Sequence, residues 1–144
     1  MPLKDVCRRL ADAGIRVSLF IEPDPVAIAA SARLGADIVE LHTGAYCERA
    51  LEDDPAGLQR ELERLQRAAV DAAAAGLEVH AGHGLTFNTV AAVARLPQVV
   101  ELNIGHFLVG EAIFSGLGPA IRRMRTLMDE ARHGLALKAA AATP

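Results

Sequence analysis

Residues 77–110 read LEVHAGHGLTFNTVAAVARLPQVVELNIGHFLVG, and two short apolar runs within them each end at a glycine and a histidine. The first corner is His83-Gly84, the second is Gly105-His106, and each is followed by residues with helical periodicity. A strand that ends at glycine leaves the next backbone N–H groups free, and at a helix start these donors carry the positive end of the helix dipole. The two corners therefore predict an anion site suited to phosphate, with an imidazole at each edge.

The same alternation of strand and helix extends through the rest of the chain. Strands are expected at residues 15–21, 37–42, 77–81 and 99–104. Helices are expected at residues 3–13, 25–34, 54–75, 87–95, 106–115 and 119–132, with a loop at 45–50. Strands separated by helices pair in parallel through right-handed crossovers. The pattern therefore fits either a βα barrel or an open, doubly wound sheet.

The polar residues at the strand ends favour the barrel. Barrel enzymes place their reactive groups at the carboxyl ends of the strands, and the candidates here all lie there: Glu22, Glu40, His42, His83, Asn103 and His106. No GxGxxG loop and no GK[ST] phosphate loop is present in the sequence. A dinucleotide-binding sheet or a P-loop protein is therefore disfavoured.

The length of the chain limits how much of a barrel it can form. A complete barrel takes about 250 residues, whereas this chain has 144 residues and four strand–helix units. The predicted fold is thus α/β, the C-terminal half (strands five to eight) of a TIM-type (βα)8 barrel over residues 1–134, with a flexible tail at 135–144. Half a barrel has two unpaired strand edges. We therefore expect it to form a homo-oligomer or to need a complementary N-terminal half.

Composition restricts the class of partner and the compartment. The low aromatic content of 3%, the absence of Trp and the net charge of −3 argue against nucleic acid and against an anionic membrane surface. No apolar run approaches the ~18 residues that a membrane span needs, and the first residues lack the apolar core of an export signal. Cys7 and Cys47 fit neither a metal motif nor a disulfide framework. These features predict a cytoplasmic protein with reduced thiols.

Four segments carry a more specific resemblance: RRLADAGIRVSLFIEPD (8–24), GADIVELHTGAY (35–46), AAAGLEVHAGHGLTFNTV (73–90) and VVELNIGHFLVGEAIFSGL (99–117). In these segments the chain resembles the C-terminal part of the pyridoxine 5′-phosphate synthase family. The resemblance implies a transferase of vitamin B6 biosynthesis that condenses 1-deoxy-D-xylulose 5-phosphate with 3-amino-2-oxopropyl phosphate. It implies pyridoxine 5′-phosphate, inorganic phosphate and water as products, and neither a metal nor an organic cofactor.

The resemblance also implies roles for individual residues. His83 corresponds to the general acid and Glu40 to the carboxylate that stabilises the transition state, while Gly84, Gly105 and His106 correspond to substrate and phosphate contacts. The family's N-terminal half supplies a further catalytic His, a catalytic Glu and other substrate contacts, none of which can be located in this chain. The alternative is therefore an inactive fragment that binds phosphorylated ligands or associates with a complementary barrel half. A different phosphosugar barrel is a third hypothesis.

Each candidate also has a purely structural interpretation. Glu40 could form an ion pair with His42, His83 could be structural, and Gly105-His106 could be an ordinary helix start. His80 alternates away from its apolar neighbours and is expected to be packed or on the surface. A metal site built from the histidines at 42, 80, 83 and 106 matches no standard zinc spacing, so no metal is expected.

Overall fold

The computed structural model describes residues 2–141, with side chains described for residues 2–134. Four strands lie at its centre: β1 (Ser18–Ile21), β2 (Ile38–His42), β3 (Glu78–Gly82) and β4 (Val99–Asn103). The helices are α1 (Leu3–Asp12), α2 (Pro25–Leu34), α3 (Gly44–Leu51), α4 (Pro55–Ala74), α5 (Val90–Ala94), α6 (His106–Ser115) and α7 (Leu117–Ala141). Every strand is thus followed by at least one helix.

The strands form one parallel sheet in the order β1-β2-β3-β4. Each strand pairs with the next one along the chain, so the predicted parallel pairing is confirmed. The register between β3 and β4 shifts by one residue, because Val79 lies opposite Val99 whereas His80 lies opposite Glu101. The fold is therefore α/β with a four-stranded parallel sheet, an arrangement consistent with half of a TIM-type barrel.

The hydrophobic core lies between the helices and one face of the sheet. Alternate residues of the central strands point into it, namely Val39, Leu41, Val79 and Ala81, and all four are fully buried. Helix α4 packs onto them with Leu65 and a row of buried alanines, whose small side chains let the helix approach the sheet closely. The opposite face of the sheet carries polar side chains and is partly open to solvent, so the candidate site forms on that face.

One predicted loop is wrong. Residues 45–50 lie within α3, which runs from Gly44 to Leu51. The segment has little helical pattern of its own, but Tyr46 and Cys47 are both buried in the core. Helical stability in a folded protein comes mostly from such tertiary packing, which the local sequence does not display.

The last helix is longer than predicted. Helix α7 runs from Leu117 to Ala141, beyond the expected boundary at residue 132. The flexible tail predicted for residues 135–144 lies outside the residues whose side chains are described, and residues 142–144 lie outside the described chain altogether. The division into a domain of residues 1–134 and a flexible tail therefore stays a prediction.

Asp24 begins α2 as a side-chain cap. Its Oδ1 atom accepts hydrogen bonds from the backbone N–H groups of Val26 (2.7 Å) and Ala27 (3.1 Å). Replacing Asp24 by alanine leaves both donors without this partner, and we expect the free energy of unfolding to fall by about 1 kcal/mol. Urea denaturation followed by circular dichroism measures the change. Asp12→Ala, an exposed aspartate that caps no helix start, should change stability by less than about 0.5 kcal/mol, and equal losses in both variants would contradict the capping role.

Candidate functional site

A cavity of about 680 Å³ lies at the carboxyl ends of the strands. Its lining comes from β1, β2, the last residue of β4 and the segments that follow β3 and β4: Phe20, Glu40, residues 83–86 and residues 103–107. The five site residues expected from the sequence, Glu40, His83, Gly84, Gly105 and His106, all line it. The structure therefore brings all of them together, because the carboxyl ends of parallel strands meet at one edge of the sheet.

His83 has an unusual backbone conformation. Its φ angle is +76°, in the left-handed region that side chains other than glycine rarely adopt. Such a conformation costs on the order of 1–3 kcal/mol and persists only where the surroundings hold it. Here the buried Thr43 hydroxyl lies 2.8 Å from the carbonyl oxygen of Gly82 and 2.6 Å from that of His83, within donating distance of both. The Thr43 hydroxyl thus holds the backbone of this corner in place. The His83 side chain is exposed at the cavity.

Gly84 is needed at this corner for two reasons. Its φ angle is +86°, and a Cβ atom added to it would lie 3.2 Å from Cβ of Cys47. The Cys47 thiol beneath it is buried, and this burial raises its pKa above the ordinary value. Cys47 is therefore kept as a neutral thiol that packs under the corner.

The first corner does not open directly into a helix, so that part of the prediction is wrong. Helix α5 begins only at Val90. Between the corner and the helix, the Thr86 backbone N–H donates to Oγ1 of Thr89 (2.8 Å), and the Asn88 N–H donates to Oγ1 of Thr86 (3.3 Å). These side chains hold the segment as a turn, so α5 does not place its first turn at Gly84.

The second corner matches the prediction. Gly105 is the residue before α6, and His106 is the first residue of the helix. No described side chain caps this helix start, so the N–H groups of its first turn have no side-chain acceptor, and Gly105 and His106 both line the cavity. A helix start of this kind favours a bound anion.

Two aromatic rings connect the corners. Phe87, from the turn after β3, meets Phe107 of α6 edge to face with 4.8 Å between the ring centroids. The Arg123 guanidinium of α7 lies 4.1 Å from the Phe87 ring centroid, a cation–π contact. The sequence reasoning missed these residues, because Phe87 and Phe107 look like ordinary apolar residues and Arg123 looks like any other exposed charge of α7.

Glu40 does not pair with His42. Its carboxylate instead accepts a hydrogen bond of 2.7 Å from the Asn103 side-chain amide. His42 Nδ1 lies 3.0 Å from Oε1 of Glu22, close enough for an ion pair although the two groups are not aligned as a hydrogen bond. Glu22 also pairs with Arg64 at 2.6 Å. The structural pairing of Glu40 with His42 is therefore not what the fold forms.

His42 contributes to the site as a packing partner of the candidate acid. Its ring lies 4.7 Å from that of His83 and 5.0 Å, edge to face, from that of Phe20, centroid to centroid. A Cβ atom at Gly44 would lie 2.6 Å from Cε1 of the His42 ring. The glycine thus makes room for the His42 imidazole, which supports the His83 ring from one side.

His80 lies outside the cavity, as the prediction of a packed or surface role requires. It is buried between Glu78 and Glu101, with nitrogen–oxygen distances of 2.8 Å and 3.4 Å. Glu78 also accepts a hydrogen bond from Arg16 (2.9 Å), and this bond, followed by that of His80, lowers the pKa of the Glu78 carboxyl. The cluster joins β3 to β4 and to the segment before β1.

Among the residues that the structure describes, no group of three His, Cys, Asp or Glu side chains is arranged to hold a metal ion. None of the described helices is both long enough and apolar enough to cross a membrane.

Comparison with known proteins identifies a family. A family model described as the pyridoxal phosphate biosynthesis protein PdxJ matches residues 1–130. The pyridoxine 5′-phosphate synthase of Caulobacter sp. (strain K31) is 60% identical over 124 residues, which cover 86% of this chain and 49% of that protein. Proteins of the same name from Ruegeria pomeroyi and Cereibacter sphaeroides are 58% and 57% identical, over 85% and 93% of this chain and 50% and 53% of their own lengths. The chain thus spans about half the length of the curated relatives it matches.

Proposed function

The chain belongs to the PdxJ family of pyridoxal phosphate biosynthesis proteins, and from this premise we propose that it forms the acid-bearing and phosphate-binding half of a pyridoxine 5′-phosphate synthase site. The substrates in this proposal are 1-deoxy-D-xylulose 5-phosphate and 3-amino-2-oxopropyl phosphate. The products are pyridoxine 5′-phosphate, inorganic phosphate and water. Neither a metal nor an organic cofactor takes part.

The observation that carries the proposal is the convergence of two kinds of group in one cavity. Backbone corners at Gly84 and at Gly105-His106 lie beside the ionisable side chains of His83 and Glu40. Free N–H groups at a helix start bind phosphate locally, so the negative net charge of the whole chain does not prevent it. A carboxylate and an imidazole next to a phosphate site are suited to condensation chemistry on phosphorylated substrates.

Each group has a defined task in this chemistry. Joining an amine to a carbonyl expels water, so the departing hydroxyl must receive a proton, and the exposed imidazole of His83 donates it. The nitrogen gains positive charge as this bond forms, and the carboxylate of Glu40 stabilises that charge. The N–H groups at Gly105-His106 hold a phosphoryl group and orient its substrate.

The complete site in this proposal is a TIM-type (βα)8 barrel. Within the described residues β1 and β4 each pair on one side only, and the polar face of the sheet is open. Phe20 on that face is 55% exposed and Val100 on the edge strand is 66% exposed. A complementary N-terminal half with four further strand–helix units would pair both edges and cover this face. A second copy of this chain is the alternative partner.

Reconstitution tests the proposed function. We expect this chain, mixed with the separately produced N-terminal half of the Caulobacter relative, to form pyridoxine 5′-phosphate from the two substrates, because the mixture restores both ends of the site. Mass spectrometry of the product and size-exclusion chromatography of the mixture measure activity and assembly. Each half alone is the control.

Two outcomes would contradict it. A well-formed complex that yields no product would support the alternative, a fragment that associates without catalysis. Product formed by this chain alone, as a homo-oligomer, would show that a second copy and not the N-terminal half completes the site.

A further inference from the structure

Glu40 and Asn103 touch although a strand separates them. Glu40 lies on β2 and Asn103 on β4, with β3 between, so the two strands are roughly 9–10 Å apart at the usual strand spacing of about 4.8 Å. The Asn103 Nδ2 atom nevertheless donates a hydrogen bond of 2.7 Å to Oε2 of Glu40. The two side chains must therefore meet above β3, on the polar face of the sheet.

Gly82 makes this crossing possible. It lies on β3 directly opposite Asn103 on β4 and opposite His42 on β2. A Cβ atom built on Gly82 would lie 2.5 Å from Oε1 of Glu40, 2.7 Å from the backbone oxygen of Asn103 and 3.1 Å from Cβ of Asn103, so a side chain here would displace the Glu40 carboxylate and press against the backbone of β4. Gly82 does not have a positive φ angle, so glycine is required here for space and not for backbone conformation.

The charge of the group that binds the Glu40 carboxylate matters as much as the position of that group. Glu40 has no cationic partner among the described ion pairs, and its hydrogen bond comes from a neutral amide. An Arg or Lys at this position would hold the carboxylate equally well but would neutralise its charge. An amide fixes the carboxylate and leaves the negative charge available to a ligand in the cavity.

We propose that Asn103 is the positioning residue for Glu40: it binds Oε2, while Oε1 lies over Gly82, and it thereby fixes the carboxylate at the wall of the cavity. Both Asn103 and Glu40 line that cavity. The inference rests on the proposed function, in which the Glu40 carboxylate stabilises developing positive charge. It gives a role to Asn103, which the sequence analysis named only as a candidate at a strand end, and it adds a spatial requirement at Gly82 that the sequence did not indicate.

The first test needs no activity and uses this chain alone. In a 15N-labelled sample, one of the two proton signals of the Asn103 side-chain amide should be shifted downfield and should exchange slowly with solvent, because that proton is donated to Glu40. Glu40→Gln should shift these signals and speed their exchange, and Gly82→Ala should do the same. The exposed Asn88 amide in the same spectra is the internal control and should not respond. If the chemical shifts and exchange rates of the Asn103 amide protons were the same with and without Glu40→Gln, the inference would be overturned.

The second test is a double-mutant cycle in the reconstituted assembly. Loss of orientation at a reacting centre can cost as much as about 100-fold in rate, so we expect Asn103→Ala to lower kcat by about 10- to 100-fold with little change in KM. Added to Glu40→Gln, it should lower kcat by less than about twofold further, because its target is already gone. Asn103→Gln, which keeps the amide donor, should recover part of the loss, and Asn88→Ala should change nothing.

The outcomes separate the two proposals. If the decrease in kcat of the double variant equalled the product of the decreases in the two single variants, the positioning role would be overturned, whereas the synthase activity would stand. An unsubstituted assembly that makes no product would overturn the proposed function, and the amide signals of Asn103 would still decide whether it holds Glu40.

Discussion

Replacing His83 by asparagine is expected to lower kcat for pyridoxine 5′-phosphate formation in the reconstituted assembly by about 10²- to 10⁴-fold, the usual contribution of a general acid or base. Asparagine tolerates the left-handed backbone better than most residues, so the φ angle of +76° at this position is preserved. The variant therefore removes the proton donor without removing the corner. KM should change little, because the phosphate contacts come from backbone groups at other residues.

The control for this experiment is a second histidine. His133 is exposed on α7, where its ring contacts only the Asp129 carbonyl oxygen at 2.7 Å among the described hydrogen bonds. His133→Asn should leave kcat within about twofold of the unsubstituted assembly, as expected for a surface change away from the site. If His83→Asn lowered kcat by less than tenfold while the fold stayed intact, the acid would have to be another group.

Truncating Leu65 to alanine is expected to lower the free energy of unfolding of this chain by about 2–5 kcal/mol, the range for leucine in a closed core. Leu65 is 1% exposed and packs from α4 onto the central strands. The substitution removes three carbon atoms, Cγ, Cδ1 and Cδ2, and leaves a cavity that the closely packed surroundings cannot collapse to fill. The loss is a large share of a typical domain stability of about 5–15 kcal/mol.

Leu51 provides a matched control for the core substitution. It is also a helical leucine, at the end of α3, but it is 84% exposed. Leu51→Ala should change the free energy of unfolding by less than about 0.5 kcal/mol. Urea denaturation with circular dichroism and fluorescence of a bound dye measures both variants, and similar losses in the two would mean that α4 does not seal the core as described.

Some elements of this fold can be predicted from the local sequence alone. Strand β2 is observed within one residue of its predicted start, because the apolar run after Gly35 has no competing helical pattern. Asp24 and Pro25 mark the start of α2 as expected. Helix α3 could not be predicted in this way, since the burial of Tyr46 and Cys47 that stabilises it depends on elements far along the chain.

By itself the sequence determined the order of the strands, the helices other than α3, and the strand ends near which Glu40, His83, Gly84, Gly105 and His106 lie. It could do so because the carboxyl ends of parallel strands lie at the same edge of the sheet, and this holds regardless of which side chains the strands have. Only the tertiary structure decided how these groups are held: His83 strained over Thr43, and Glu40 joined to Asn103 across Gly82. Such contacts depend on distances of a few ångströms between residues on different strands, and local periodicity fixes no such distance.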